Sequence, residues 1–211
     1  MHSTPDLHRL LTRLPDVPTL RDRCRGLAML EAILSPDWAD RYYSYDSTWG
    51  EGEETASMRN GEGDDWFLVF SPAGVYARGL DHTAPPAPHL LAEVPEAFRP
   101  FVEEPAFGDS DGKPDATVCF WRTPGATAWQ APSAAPTGGV DLFDLLADGT
   151  AAAYRTWAEE YYEPEHPLDL SAIAHVLALR PLTPAVVTAL NPDLDLDGLT
   201  DDIAEIGYPT P

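Results

Sequence analysis

Gly61-Glu-Gly-Asp-Asp-Trp-Phe-Leu-Val-Phe-Ser-Pro-Ala-Gly-Val-Tyr-Ala-Arg-Gly-Leu-Asp-His82 is the stretch that decides the fold. Trp66 to Phe70 is an unbroken apolar run, rich in aromatic and β-branched types. A run that short, bounded by turn residues, suits a strand buried on both faces. Ser71-Pro72-Ala73-Gly74 fits a type I turn, with Pro second and Gly fourth. Val75 to Leu80 then reads as the returning strand. Tyr76, Arg78 and Leu80 fall on one of its faces; Val75, Ala77 and Gly79 fall on the other.

If Phe70 faces Val75, then Asp65 faces Leu80, Asp64 faces Asp81, and His82 falls near Gly63. A bulge in the turn shifts this register by one residue. Either register gathers Glu62, Asp64, Asp65, Asp81 and His82 at the open end of the hairpin. Carboxylates with one imidazole can hold a divalent cation or perform acid–base chemistry. Asp64, Asp65, Asp81 and His82 are therefore the candidate metal ligands. The same residues also suit a solvated strand end closed by Asx turns.

Working outward, Asn60-Gly61 is a turn signal towards a strand at Thr55 to Arg59. Arg41 to Tyr45 is a further strand candidate, and Thr117 to Arg122 another. Thr127 to Gln130 is placed to pair with the latter across Pro124-Gly125. Residues 83–115 form a long connection rich in Pro and acids, with room for a short helix near Pro95 to Val102.

Both flanks read as helical. Thr4-Pro5 can start a helix with Leu7, Leu10, Leu11 and Leu14 in one stripe. Thr19 can cap a second, with Leu20, Cys24, Leu27, Leu30 and Leu34 inward and Arg21 and Arg25 outward. Ala131 to Gly139 reads as a linker. Beyond it, helices are expected at Asp141 to Ala147, from Thr150 onward, at Leu170 to Leu179, from Thr183-Pro184 to Asn191-Pro192, and at Thr200 to Ile206. Tyr154, Trp157, Ala158 and Tyr161 share one face of the Thr150 helix. Leu170, Ile173, Ala174 and Leu177 form the inward face of the next, with His175 on the surface.

Helices, then antiparallel strands, then helices indicate an α+β fold, with helical segments covering one sheet face. We expect one domain over residues 1–211, with 140–211 as a candidate helical subdomain. No internal repeat is visible.

The chain has 211 residues, 44% hydrophobic, which suits a globular protein with a proper core. It carries 13 basic and 35 acidic residues, a net charge of −22. Lys113 is the one lysine, and the five Arg of residues 1–35 leave the acidity concentrated downstream. Such a chain lacks the cations that release counterions from a nucleic-acid backbone or seat a protein on an anionic membrane. A basic protein partner, in contrast, would be steered towards it. Cys24 and Cys119 show no metal or redox spacing and read as reduced small hydrophobes, which favours the cytoplasm. No signal-peptide pattern or membrane-length apolar run is visible.

Two motifs invite chemistry and fail on context. Gly108-Asp-Ser-Asp-Gly112 has the spacing of a nucleophile elbow but lacks the strand before it and the helix after it. Asp193-Leu-Asp-Leu-Asp-Gly198 matches the start of an EF-hand loop, yet its twelfth position is Ala204. His166 stands alone in a loop, and Glu159-Glu160 suit a solvated helix face. No phosphate loop, dinucleotide fingerprint or zinc spacing occurs, so no organic cofactor is expected.

The segment Ala56-Ser-Met-Arg-Asn-Gly-Glu-Gly-Asp-Asp-Trp-Phe-Leu-Val-Phe-Ser-Pro-Ala-Gly74, continuing to Gly79-Leu-Asp-His82, resembles a group of bacterial proteins with no assigned activity. They share a Gly-x-Gly-Asp, strand, turn, strand, Gly-x-Asp-His layout, and the resemblance extends over about Arg25 to Arg122. It implies a recurring hairpin and a bacterial source, and it transfers no site residue.

Two functions follow as expectations. The first is a protein-binding module, acidic and comparable by charge with an immunity-type inhibitor of a basic toxin. The second is a metal-dependent hydrolase that uses Asp64, Asp65, Asp81 and His82. The oligomeric state is not encoded in any pattern we can read.

Overall fold

The computed structural model describes residues 7–109 and 111–211. The Thr4-Pro5 helix start and Ser110 lie outside them. Five antiparallel strands form one sheet in chain order: β1 (Tyr43–Gly50), β2 (Glu53–Arg59), β3 (Asp65–Ser71), β4 (Gly74–Leu80) and β5 (Val118–Arg122). With the helices packed against it, this is an α+β fold.

The central hairpin has the register derived from its turn. Phe70 pairs with Val75 and Asp65 with Leu80. Gly74 makes this turn possible at φ 115°, and a Cβ there would lie 2.1 Å from the Arg122 carbonyl oxygen. β2 pairs with β3 from Glu54–Phe70 to Arg59–Asp65. β1 runs further than its aromatic start suggests, with an irregularity between Asp46 and Gly50. Trp121 exchanges backbone bonds of 2.8 Å with Gln130, so the expected pairing across Pro124-Gly125 reduces to one bridge.

One face of the sheet meets the helices. These are α1 (Leu7–Arg13), α2 (Val17–Leu34), α4 (Asp144–Asp148), α5 (Ala151–Tyr162), α6 (Leu170–Leu177), α7 (Pro184–Leu190) and α8 (Thr200–Ile206). Leu30 and Ile33 of α2 are fully buried in the same cluster as Leu68 and Phe70 of β3 and Ile173 of α6. Gly26 allows the close crossing of α2 and α6, since a Cβ there would stand 3.1 Å from Leu177 Cα.

Four expectations need correction here. α2 begins at Val17, because the Asp16 side chain accepts from Thr19 N–H at 3.1 Å and Pro18 sits in the first turn. The cap is therefore Asp16 and not Thr19. α6 buries Ala172, Ile173 and Val176, while Leu170 and Ala174 are exposed. This helix is only eight residues long, and its phase is set by where it meets α2. Its His175 is half-buried, with Nε2 2.9 Å from the Pro181 carbonyl oxygen. Tyr161, expected on the buried face of α5, is 43% exposed.

The fourth correction concerns the opposite face, to which the sequence reading assigns no covering element although it reads Trp66 to Phe70 as buried on both sides. Residues 88–107 fold into short 3-10 segments and one short helix, α3 (Arg99–Val102), which lie on it. Leu90, Phe98, Phe101 and Phe107 meet Phe67, Val69, Tyr76 and Trp121 in a second buried cluster. A strand buried on both sides requires an apolar layer on each, and the long connection supplies it. Arg78, only 2% exposed, fastens this layer. Its Nε donates to the Phe107 carbonyl at 2.9 Å, its Nη1 pairs with Asp65, and its guanidinium lies 5.2 Å from the Phe67 ring centroid.

The Ala131–Gly139 stretch is bonded to its surroundings. Thr137 N–H donates to the Thr117 carbonyl at 3.0 Å and Ser133 N–H to Glu93 at 2.9 Å. Cys24 and Cys119 are both free and buried, and burial pushes the Cys119 thiol up to about 12. Among the described residues, no helix is long and apolar enough to cross a membrane.

Candidate binding cleft and acidic cluster

The open end of the hairpin brings three of the four sequence-predicted ligands together. One ligand atom each from Asp64, Asp81 and His82 lies within 4.8 Å of the others. Asn60 shapes the loop, its Oδ1 accepting from Glu62 N–H at 2.8 Å and Asp64 N–H at 3.0 Å. Gly63 completes the turn at φ 116°, and a Cβ there would press on His82. Asp64 Oδ1 accepts from His82 N–H at 2.9 Å and lies 2.7 Å from His82 Nδ1. Its other oxygen accepts from Asn60 Nδ2 at 2.7 Å. Asp81 Oδ1 accepts from Thr83 Oγ1 at 2.7 Å and Thr83 N–H at 2.8 Å.

These bonds explain the titration of the cluster. The bond to Asp64 holds His82 above its ordinary value, opposed by slight desolvation. The Thr83 hydroxyl holds Asp81 below the usual carboxylate value. Asp65 turns to the opposite sheet face and pairs with Arg78, so it stands outside the cluster. Burial raises its carboxyl despite that partner. Glu62 is exposed. Chemically, the cluster is a hydrogen-bonded Asp–His pair beside a second, separately bonded carboxylate.

A second feature lies across the same loop. The β3–β5 part of the second face is covered, but the floor around Ser44 and Ser57 is not. There a cavity of about 340 Å3 opens, walled by Trp38, Tyr42 and Tyr161, with Asp40, Arg59 and Gly61 at its margin. Trp38 is 54% exposed, the most exposed large hydrophobic side chain among the described residues, and Tyr161 is next. Trp38 is carried on a single turn, Trp38–Asp40, capped by the Asp37 side chain. The Ser44 and Ser57 hydroxyls are 2.7 Å apart on the floor.

The aromatic wall is anchored from below. Tyr161 stacks on Trp157 with centroids 5.3 Å apart, and Tyr42 meets both rings edge-on. Beneath them, Glu31 is fully buried with no ion-pair partner among the described residues. Its carboxylate accepts from Tyr162 Oη at 2.5 Å, Tyr154 Oη at 2.8 Å and Tyr42 N–H at 3.0 Å. Burial raises its pKa, against the pull of these donors. This one side chain ties α2, α5 and the start of β1 together behind the cleft.

Sequence patterns alone do not reveal the cleft. Its one local signal is an aromatic residue, Trp38, in a polar break after Ser35-Pro36. The other wall comes from α5, more than a hundred residues away in the chain.

The remaining motifs resolve as turns and caps. Asp195 Oδ1 accepts from Gly198 N–H at 3.0 Å ahead of α8, while Leu194 and Leu196 pack on the core. Asp109 Oδ1 accepts from the Asp111 and Lys113 N–H groups, which closes a polar turn. Comparison of the chain with family models, curated proteins and solved structures finds no match.

Proposed function

We propose that this protein is a binding module whose functional surface is the Trp38–Tyr161 cleft and whose partner is a basic protein. The observation that carries the reading is the exposure of two large aromatic side chains at an open cavity in a strongly acidic chain. Trp and Tyr bury much area at little entropic cost and dominate the energetics of protein interfaces. Net negative charge speeds the approach of a cationic partner and rejects acidic ones. By charge alone, an immunity-type inhibitor of a basic toxin is a fitting analogy.

The test is a titration with Arg- and Lys-rich peptides, followed by the indole N–H resonances of the protein. Binding should weaken about tenfold or more from low to high salt, as several screened charges require. A Glu-rich peptide should not bind. Affinity for basic peptides that is independent of salt, or unaffected by Trp38→Ala, would argue against the reading.

A second reading rests on the convergence of Asp64, Asp81 and His82. An aspartate pair and an imidazole can hold a divalent cation that activates water for hydrolysis. A cation would have to compete with the donors already on Asp64 and Asp81, which favours the first reading. Mg2+, Mn2+, Zn2+ or Ca2+ should then raise the melting temperature, and Asp81→Asn should remove the rise. No rise with any of the four sinks the metal reading.

A further inference from the structure

We propose that the Trp38–Tyr161 cleft recognises a single organic cation, a guanidinium or ammonium group, held between the two aromatic side chains and Asp40. This rests on the binding reading and names the chemistry that the cleft would select. The shared chemistry has two sources, an Arg or Lys side chain of a partner and a free small cation.

Three observations support a cation over a neutral or anionic group. First, the walls are aromatic and open. Trp38 belongs to none of the ring pairs among the described residues, so its faces are not taken up by another ring. An aromatic face attracts a cation through its quadrupole, most strongly for Trp. Second, the charges around the rings are acidic. Besides burial and the buried Glu31, the carboxylates of Glu62 and Asp40 raise the Tyr161 phenol, and those of Asp64 and Asp141 raise that of Tyr42. Third, the two arginines at the cleft are turned to other partners. Arg41 pairs with Asp202 at 2.5 and 3.2 Å and also donates to the Ser35 and Pro36 carbonyls. The Arg59 guanidinium lies over Phe67, 5.5 Å from its centroid, beside β3. That contact engages the guanidinium with β3, and its charge also acts on Asp65.

A cavity of about 340 Å3 accepts a side-chain headgroup or a small cation and falls short of a large cofactor. Asp40 supplies the carboxylate that converts a cation–aromatic contact into a charge-assisted hydrogen bond. The Ser44–Ser57 hydroxyl pair keeps oxygen lone pairs free to accept from the N–H groups of such a cation, since their mutual bond uses only one of the four.

The experiment uses the full chain and four probes: N-acetyl-arginine methylamide, its neutral citrulline analogue, tetramethylammonium chloride and an Arg-rich peptide. The readout is the Trp38 indole N–H resonance, assigned by its loss in Trp38→Phe. The arginine probe should shift it in a saturable manner, and the citrulline analogue should bind at least tenfold more weakly. Trp38→Ala and Asp40→Asn should each weaken the arginine probe about tenfold. Both positions are exposed, so the variants should retain the wild-type circular dichroism spectrum. Saturable binding of tetramethylammonium as well would establish the cleft as a receptor for free cations. Peptide binding without it would assign the site to a partner's side chain. Equal binding of citrulline and arginine probes overturns the proposal. So does a Trp38 resonance that no cation shifts. If basic peptides still bind in that last case, the binding module stands and only its cation pocket is lost. If they do not, both fail.

Discussion

His82 Nδ1 lies 2.7 Å from Asp64 Oδ1, and the backbone N–H of His82 donates to the same oxygen at 2.9 Å. This pair closes the open end of the β3–β4 hairpin and sets the charge of the only exposed imidazole in the cluster. Its bond to Asp64 favours the protonated ring, so His82 should titrate above its ordinary 6.5. The stabilisation from this raised pKa is present below 6.5 and lost as pH rises through the folded value. Histidine Cε1 shifts followed by NMR against pH should show it, and Asp64→Asn should return the midpoint towards 6.5. A midpoint at or below 6.5 in the unmodified protein contradicts the bond as drawn.

Glu31 gives the opposite kind of pH dependence from an ordinary carboxylate. Burial raises its pKa above 4.5, so the folded state favours the protonated form. Stability from this group is full below 4.5 and falls as pH rises through its folded value. Glu31→Gln keeps the shape and removes the buried charge. Urea denaturation of the two proteins between pH 4 and pH 8 should show this fall in the parent and its absence in Glu31→Gln. Glu31→Ala orphans two tyrosine hydroxyls and leaves a void. It should cost about 2–4 kcal/mol at any pH in that range. Parallel stability curves for the parent and the Gln variant would refute the assignment.

Arg78 holds the second apolar layer onto the sheet. Arg78→Ala leaves Asp65 without its partner and the Phe107 carbonyl without two donors. Breaking a buried pair on one side typically costs about 3–5 kcal/mol, and this one also loses packing on Phe67. Denaturant midpoints measure the loss. Hydrogen exchange should rise first in residues 88–107, which Arg78 fastens. A loss below about 1 kcal/mol would mean that the layer holds by apolar contact alone.

Gly74 is the position where the central turn admits no side chain. Its φ is 115°, and a Cβ added there would stand 2.1 Å from the Arg122 carbonyl oxygen, so Gly74→Ala must displace β5 or the turn. A cost of about 2 kcal/mol or more is expected, combining strain with the clash. Gly61→Ala, with open space where its Cβ would go, carries only the backbone strain of φ 76° and should cost less. Thermal melts of the two variants order them, and an equal or reversed order would count against the turn geometry.

The hairpin register was legible because everything that sets it is local. Pro72 and Gly74 define the turn, and side chains alternate at period two from there, so Asp64 must lie across from Asp81. The caps at Thr150 and Thr183 and the bounds of α8 were legible for the same reason. The fate of Asp65 was not. It sits one residue from Asp64, yet the pleat sends it to the other face, where Arg78 takes it from the cluster. The apolar run Trp66–Phe70 requires a second layer, but most of the residues that supply it were not legible, because they come from short turns with no regular period.

By itself, then, the sequence determined the antiparallel core, the flanking helices and the meeting of Asp64, Asp81 and His82. Periodicity and turn chemistry act between neighbours, and they need no knowledge of the rest of the chain. Tertiary structure decided which sheet faces are covered, that Glu31 is buried among tyrosines, and that Trp38 and Tyr161 wall one cavity. Trp38 follows the end of α2, and Tyr161 lies in the last turn of α5. Only the packing of those two helices beside the start of β1 brings both side chains to one cavity.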